Sequence, residues 1–584
     1  MKFSILSKYF EEIEKNSSRL TITNILAKLF KDLSADEVEK TVYLLQGRVA
    51  PAFDKIDFGM AEKMIIKAII TSLNLDRGYF EKEFKKLGDL GKAGELFKKQ
   101  HPSLEKKDLS VLAVYNDLYK LATAGGEGSQ ELKINILANL IRQLDHLSCR
   151  YIVRIPQGVM RLGFSDMTVL DSFSWMIKGD KSLRAEIEKA YHVRPDLGFI
   201  GKTLKEKGIK GLEKIEPKIF TPIIMMKAER LSSGEEIIKQ IGRCAVESKY
   251  DVFRLQVHYK KIKNPACQSL KPKVENTQVR LYSRSLEEVS EMYPDIIMGT
   301  IDEVDVSEAI FEGEAVGIDP ETGSLLPFQE TAQRKRKYGI EEKIKEIPLR
   351  LFVFELLYLD QKNYIHLPFS ERRRQLEKII SDKGKIVCLS PQRLTDDPKV
   401  LDCLFDKAVK KGLEGILAKK LTGVYQPGAR AWNWIKFKKS YSAKVEDTVD
   451  CLVMGYDYGK GKRTSFGIGA FLVGIYHKKQ DKFLTVAKIG TGLTDDEWKE
   501  LKLKTQSLKL KTKPENYQVD KMMECDMWLA PKIVVEIRSD EITKSPVHTA
   551  KLALRFPRLE RFRDDKNPDE VTTLDEVEKM YKKQ

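Results

Sequence analysis

The chain has 584 residues, 42% of them hydrophobic and 32% charged, with a formal net charge of +16. That length supports roughly three to five domains, and the basic surplus points to a polyanionic partner, nucleic acid first. Seven cysteines without a Cys-x-x-Cys pair argue against a disulfide framework or a zinc ribbon, and seven scattered histidines argue against a histidine-built metal site. No stretch approaches the ~18 apolar residues of a membrane span. The N-terminus Met1–Leu6 runs into an amphipathic pattern rather than a signal peptide, so a cytoplasmic location is expected.

Residues 1–215 are predicted to be helical. Apolar positions recur with helical period at Ile22, Ile25, Leu26 and Leu29, then at Val42, Leu45 and Val49. Breaks fall at Gly47, Pro51, Gly88, Gly91, Pro102 and Gly125-Gly126. Arg150, Arg154, Arg161 and Lys178 lie in or beside Tyr151–Ser172, which also holds Gly158 and Gly163. This segment reads either as backbone that can approach phosphates or as a solvated turn between helices.

Near residue 216 the texture changes. Pro217, Pro222 and the run Ile223–Met226 open a strand-rich region. The stretch Glu247-Ser248-Lys249-Tyr250-Asp251-Val252-Phe253-Arg254 sets a lysine between two carboxylates, with an arginine five residues on. After it Phe253, Leu255, Val257 and Tyr259 alternate with Arg254, Gln256 and His258, which predicts a half-buried strand with Lys249 at its entry and Arg254 on its polar face. A lysine nucleophile needs its neutral form, supplied by desolvation or nearby positive charge. Val279–Arg284 is a short strand ending in an arginine, and Ile310–Ile318 is another, with Glu312 and Glu314 on one face. Asp319–Gly323 reads as a turn. Leu349–Leu359 is almost wholly apolar, as a strand buried on both faces would be. Arg334–Lys337 and Glu371–Lys385 read as exposed helix, and Glu414–Lys419 as a further strand. In Trp434–Lys438, Ile435 and Phe437 point one way and Lys436 and Lys438 the other, where the paired ammonium groups repel unless an anion lies between them. The turn Tyr425-x-Pro427-Gly428-x-Arg430 just before strengthens a phosphate site there.

From about 440, strand-like segments Asp450–Tyr456, Gly469–Tyr476, Phe483–Ile489 and Ile533–Ile537 alternate with glycine-rich turns, which suits a small β-barrel of the OB-fold kind. Gly459–Arg463 is a basic turn suited to backbone phosphates. The tail Arg555–Lys566 interleaves cations with aromatics and proline, which favours a docked segment over a solvated one.

Together these pieces can transfer a nucleotide. A neutral lysine attacks an α-phosphorus, arginines and lysines neutralise its oxygens, and carboxylates hold Mg²⁺. No Gly-x-x-x-x-Gly-Lys-Ser/Thr loop is present, nor a Gly-x-Gly-x-x-Gly loop after a strand. Glu247-x-Lys249-Tyr250-Asp251, Tyr282-Ser283-Arg284, Glu314-Ala315-Val316, Phe354-Glu355-Leu356, Glu414-Gly415-Ile416-x-x-Lys419 and Trp434–Lys438 follow the order of the covalent nucleotidyltransferase motifs. The chain resembles the ATP-dependent DNA ligases of the archaeal and eukaryotic replicative type. The likeness extends to Tyr151–Arg154 with Arg161–Gly163, to Lys488–Gly492 and Trp528–Lys532, and to Arg555–Lys566 as the last motif.

The resemblance implies a multidomain protein: an all-α DNA-binding domain (1–215), an α+β nucleotidyltransferase or adenylation domain (216–439) and a β-barrel OB-fold domain (440–584). It implies that Lys249 carries AMP, that Glu247 contacts the adenine region and that Phe354 stacks on the base. Arg254, Arg284 and Arg430 would hold ribose and phosphates, and Lys436 and Lys438 the α-phosphate. Glu314 and Glu414 would serve the metal and the ribose, while Arg558, Arg561 and Lys566 would orient the leaving pyrophosphate. The cofactors implied are ATP and Mg²⁺. The partner is nicked duplex DNA, with a sliding clamp as a further candidate, and the protein is expected to act as a monomer in replication, repair and recombination. Three residues depart from the family pattern: Val252 for a glycine, Glu355 for an aspartate and Ser285 for an asparagine. Val252 bears on the nucleotide-site geometry and Glu355 on the metal's surroundings. The competing readings are a non-catalytic clamp on nicked DNA and an mRNA-capping-type guanylyltransferase. The helical first third argues against the second. The absence of a four-cysteine finger argues against an NAD-dependent ligase.

Overall fold

The computed structural model describes residues 1–101, 107–250, 252–262, 277–336, 339–438, 448–459 and 466–583. Asp251, Cys267, Lys337 and residues 460–463 of the basic turn fall outside that set. The chain divides into two compact units, Met1–Phe437 and Lys438–Gln584.

The first unit begins with twelve helices among the described residues, from Phe3–Glu14 to Leu197–Leu212. The helical-period residues Ile22, Ile25, Leu26, Leu29, Val42, Leu45 and Val49 all lie in one apolar core. Serine and aspartate caps start many of these helices; Ser34 and Glu37 form a full capping box. Arg154 departs from the phosphate reading. It is 1% exposed and held between Glu14 (2.9 Å) and Asp89 (2.6 Å), while Arg150 meets Glu95 at 2.6 Å. Both arginines lock helices together from within. Arg161 stays exposed, donating to the Gly88 carbonyl at 3.2 Å.

Two sheets follow. Strands β1 (Lys227–Arg230), β2 (Cys244–Lys249), β3 (Phe253–Lys261), β4 (Thr277–Ser283), β5 (Glu308–Gly317), β6 (Leu349–Leu359), β7 (Lys362–Asn363), β8 (Val387–Leu389), β9 (Gln392–Thr395), β10 (Gly415–Lys420) and β11 (Arg430–Lys438) divide between them. One sheet runs β1-β11-β10-β2-β9; the other runs β4-β3-β5-β6-β7, with β8 beside β6. The outer face of the first is covered by helices Gly234–Ile241 and Pro398–Lys410, through a core that includes Val246, Leu401, Ile416, Ile435 and Phe437. The second packs its own apolar face against helices Pro294–Glu303 and Phe369–Ile379.

The two inner faces set buried polar groups among an apolar cluster that includes Ile310, Phe354, Leu357 and Trp434. Arg254, Gln256 and His258 do project from one side of β3, but that side meets the interior: Gln256 and His258 are fully buried. The strand is buried on both faces, not half-buried. Lys249 also sits differently from the sequence expectation: it ends its own strand, β2, in the other sheet. The arginine-rich stretches differ too. Helix Phe369–Ile379 stops before Ile380 and turns Arg372 and Arg373 inward, and Arg334 is buried against Asp295 at 2.8 Å. The Arg372 guanidinium goes inside because Glu355 and the Leu367 and Gly423 carbonyls satisfy its fork of donors.

The second unit is strand-built. Strands Val449–Tyr458, Ile468–His477 and Lys482–Ile489 pair antiparallel in succession, and Val534–Arg538 pairs with the first of them. The tail docks as expected: Arg558–Phe562 is a strand laid antiparallel on Val534–Arg538.

Candidate active site

A cleft of about 660 Å³ opens between the two sheets. Its lining includes Glu247, Ser248 and Lys249 of β2, Arg254 of β3, Glu314 of β5, Phe354 of β6, and Arg430, Trp434 and Lys436 of β11, with Arg284 just beyond β4. Strand alternation explains the selection. In β11, Ile435 and Phe437 enter the outer core while Trp434 and Lys436 face the cleft.

Lys249 forms an ion pair with Glu414. The two are locked by register: β2 and β10 are antiparallel with Lys249 opposite Gly415, and the Glu414 amide donates to the Lys249 carbonyl at 3.2 Å. Across the cleft, a Glu314 carboxylate oxygen accepts from the Val252 amide at 3.3 Å. Val252 packs its side chain with Tyr250, Val316 and Phe352, where the Tyr250 and Phe352 rings stack at 4.7 Å.

Arg254 lies on the cleft floor. It donates to Glu312 at 2.7 Å and to the Met226 carbonyl at 2.8 Å, and its guanidinium sits 5.4 Å from Phe354 and 5.2 Å from Trp434. Glu312 is fully buried and also accepts from the Tyr425 hydroxyl at 3.1 Å. Tyr425 in turn accepts from the Met226 amide at 2.9 Å. Gln256 completes this layer by pinning Ile223, and burial pushes His258 down to about 3, so it is neutral. Gly428, in the turn before β11, has φ +69°, and a Cβ there would meet the His192 ring at 2.6 Å. That turn tolerates no side chain.

Deeper in the cleft, Glu247 is 2% exposed and bound through Oε2 to Lys419 at 2.9 Å. Its other oxygen, Oε1, is buried without a hydrogen-bond partner in the structure. Glu355, the longer replacement for aspartate, is turned away from the cleft and clamped by both arms of Arg372 at 2.8 Å.

The electrostatics favour an anion. Burial and the cations Arg230, Arg430, Lys249 and Arg284 push Lys436 down to about 8. Among the described residues no three His, Cys, Asp or Glu side chains gather as a self-sufficient metal site. Glu314 and the Lys249-bound Glu414 nevertheless suit Mg²⁺, which commonly takes one or two carboxylates and completes its shell with substrate phosphates and water.

Lys249, Glu247, Arg254, Arg284, Glu314, Phe354, Arg430 and Lys436 thus share one cleft. Glu414 joins through Lys249, whereas Lys438 is outside the lining. Arg558, Arg561 and Lys566 belong to the second unit, where they pair with Asp540, Glu536 and Asp450. Sequence reasoning missed Lys227, which lines the cleft, and Arg230, which lies beside Lys436. The parallel pairing of β1 with β11 that delivers them joins segments too far apart in sequence to be read from a local pattern.

Comparison with known proteins agrees along the length of the chain. The family models described as DNA ligase N terminus, ATP dependent DNA ligase domain and ATP dependent DNA ligase C terminal region match residues 2–174, 225–438 and 464–566. A probable DNA ligase of Dictyoglomus turgidum is 44% identical over all of this chain and 98% of its own length. The chain belongs to the ATP-dependent DNA ligase family. A second member, the DNA ligase of Saccharolobus solfataricus, is 39% identical over 100% of this chain and 98% of that one. The solved structure named Pmar-Lig_PreS3 shares the fold at a TM-score of 0.54 and 17% identity, covering 95% of this chain and 99% of that one. Among the described residues no helix is long and apolar enough to cross a membrane.

Proposed function

We propose that the cleft between the two sheets performs the first step of ATP-dependent nick sealing, with Lys249 as the nucleophile that takes AMP. ATP-dependent DNA ligation itself follows from family membership over the whole chain. The observation that carries the assignment is the company Lys249 keeps: a base slot at Phe354 and Glu247 on one side, and Arg254, Arg284, Arg430 and Lys436 on the other.

The chemistry follows from the charges. Adenine enters beside Phe354, and the triphosphate runs toward Arg284, Arg430 and Lys436. A bound phosphate relieves the repulsion among these cations, so nucleotide binding draws on the strain that depresses Lys436. The same positive charge favours the neutral amine of Lys249 once Glu414 lets go of it. Glu314 and Glu414 would hold Mg²⁺, which when bound screens the phosphates and orients the leaving group. Lys249 attacks the α-phosphorus and displaces pyrophosphate, giving a lysine–AMP phosphoramidate. AMP then moves to the 5′-phosphate of a nick, and the 3′-hydroxyl displaces it.

For the domains, our reading is an all-α DNA-binding region over 1–215, an adenylation domain over 216–439 and an OB-fold over 440–584. Arg558, Arg561 and Lys566 of the OB-fold would orient pyrophosphate. The helices ending at Leu212 and the antiparallel strands after Val449 support that division.

The test is self-adenylylation with α-labelled ATP and Mg²⁺, resolved on a denaturing gel beside Lys249→Ala, followed by nick sealing. Label on the wild type alone is expected. Label that persists on the variant would place the nucleophile elsewhere.

A further inference from the structure

Lys419 is a fully buried cation beside the cleft, and the chemistry above does not use it. It is 0% exposed. Its ammonium donates to the Phe354 carbonyl at 2.8 Å and meets Glu247 Oε2 at 2.9 Å. Three aromatic rings surround it: Phe354 at 4.8 Å, Phe369 at 4.8 Å and Trp434 at 4.9 Å. Sheet geometry makes the pairing obligatory. Glu247 of β2 stands opposite Leu417 of β10, and Lys419 opposite Ala245, so the two side chains are diagonal neighbours on the inner face.

Burying this pair is expensive, and a packed apolar substitute would serve stability as well. What the pair supplies is a cation fixed against one oxygen of Glu247. Burial pushes Glu247 up toward its protonated form. Lys419 opposes that shift, with Arg373 as a second cation 3.8 Å from Oε1. The ammonium also occupies Oε2, which leaves Oε1 buried at the cleft wall as the acceptor without a hydrogen-bond partner.

We propose that Lys419 determines base selectivity: by holding Glu247 as a carboxylate with only Oε1 open, it makes the slot beside Phe354 accept an exocyclic amine, as adenine presents, and reject the carbonyl oxygen that guanine presents there. A protonated Glu247 could instead donate to that carbonyl and admit guanine. Lys419 acts through Glu247 and is a positioning residue. The inference rests on the reading that Glu247 faces the base.

The experiment is self-nucleotidylation of the full chain with α-labelled ATP and α-labelled GTP, each read as kcat/KM between pH 6 and pH 9. Wild type should prefer ATP with a ratio that varies little with pH. Lys419→Met should lower the ATP/GTP ratio by roughly 10- to 100-fold at pH 6. The ratio should climb again with pH as Glu247 ionises unaided. Lys419→Arg should keep the preference even if turnover slows. Glu247→Gln separates the two layers of the argument. Unchanged selectivity in Glu247→Gln means that Glu247 does not read the base, and the underlying reading fails. Lost selectivity in Glu247→Gln with a wild-type, pH-independent ratio in Lys419→Met overturns the role of Lys419 alone. Should Lys419→Met not fold, Lys419→Gln is the neutral variant. An equal loss with both nucleotides at every pH in either neutral variant marks Lys419 as merely structural.

Discussion

Lys249 and Glu414 meet as an ion pair at the end of the β2–β10 ladder, fastened below by the hydrogen bond from the Glu414 amide to the Lys249 carbonyl. On the proposed reading the carboxylate that steadies the resting ammonium would also take the metal, which would couple metal loading to release of Lys249. Glu414→Gln should therefore cut Mg²⁺-dependent self-adenylylation by roughly 100-fold or more and raise the half-saturating Mg²⁺ concentration. ATP binding without metal should change little, which equilibrium binding in EDTA would check.

Lys249→Ala should abolish adenylylation yet leave binding to a nicked duplex, and its salt dependence, close to wild type, because phosphate contacts carry that affinity. Gel-shift titrations at several salt concentrations measure it. A folded variant that no longer bound the nick would contradict separate roles for the cleft and the DNA-binding surfaces.

The pH dependence should centre on Lys436, which lies near 8 against an ordinary 10.5. Below pH 8 it is charged in both folded and unfolded chains, and its burial, with the crowding of cations, destabilises the fold in full. Between pH 8 and 10.5 the unfolded chain keeps a proton that the folded chain has lost, so the penalty fades as pH rises. Lys436→Gln should thus be the more stable protein at neutral pH, by an advantage that shrinks toward pH 10. ATP affinity, measured in a Lys249→Ala background, should fall above pH 8 and lose much of that dependence when Lys436 is also replaced.

Arg372 and Glu355 are both fully buried and joined through two hydrogen bonds of 2.8 Å. Arg372→Met strands a buried carboxylate and should cost about 3–5 kcal/mol. Adding Glu355→Leu should recover much of the loss in thermal unfolding, and no recovery would mean that the carboxylate is not the source of the damage.

Val252 stands where the family pattern has glycine, and its side chain packs with Tyr250 and Phe352. Val252→Gly should lower stability by about 1–2 kcal/mol through lost contacts and added chain freedom, with self-adenylylation close to wild type. A large gain in rate would show instead that valine holds the nucleotide site off its best geometry.

Polarity was legible in the sequence and burial was not. The almost wholly apolar run of β6 gave both its ends, and the period-2 pattern of β11 gave the face on which Lys436 lies. The same period placed Arg254, Gln256 and His258 on one side of β3, but alternation cannot tell water from a second sheet that brings its own hydrogen-bond partners. Arg334, Arg372 and Arg373 read as exposed charge, and Arg154 as part of a phosphate approach or a solvated turn, for the same reason: each is neutralised by a carboxylate distant in sequence. In the site, the ordered motifs brought most of the cleft residues into view. Lys227 and Arg230 depended on a long-range parallel pairing with no local signature.

The polar layer between the sheets has a mechanical corollary. Apolar faces can creep past one another in small steps, because any snug arrangement is nearly as good as the next. The hydrogen bonds from Lys419 to the Phe354 carbonyl, from Arg254 to the Met226 carbonyl and from Tyr425 to Glu312 are directional and hold only near one alignment. Lys249 rides on one sheet and Arg254 on the other, so the distance between these two side chains is keyed rather than sprung. Heating should leave that spacing intact until the whole layer gives way at once.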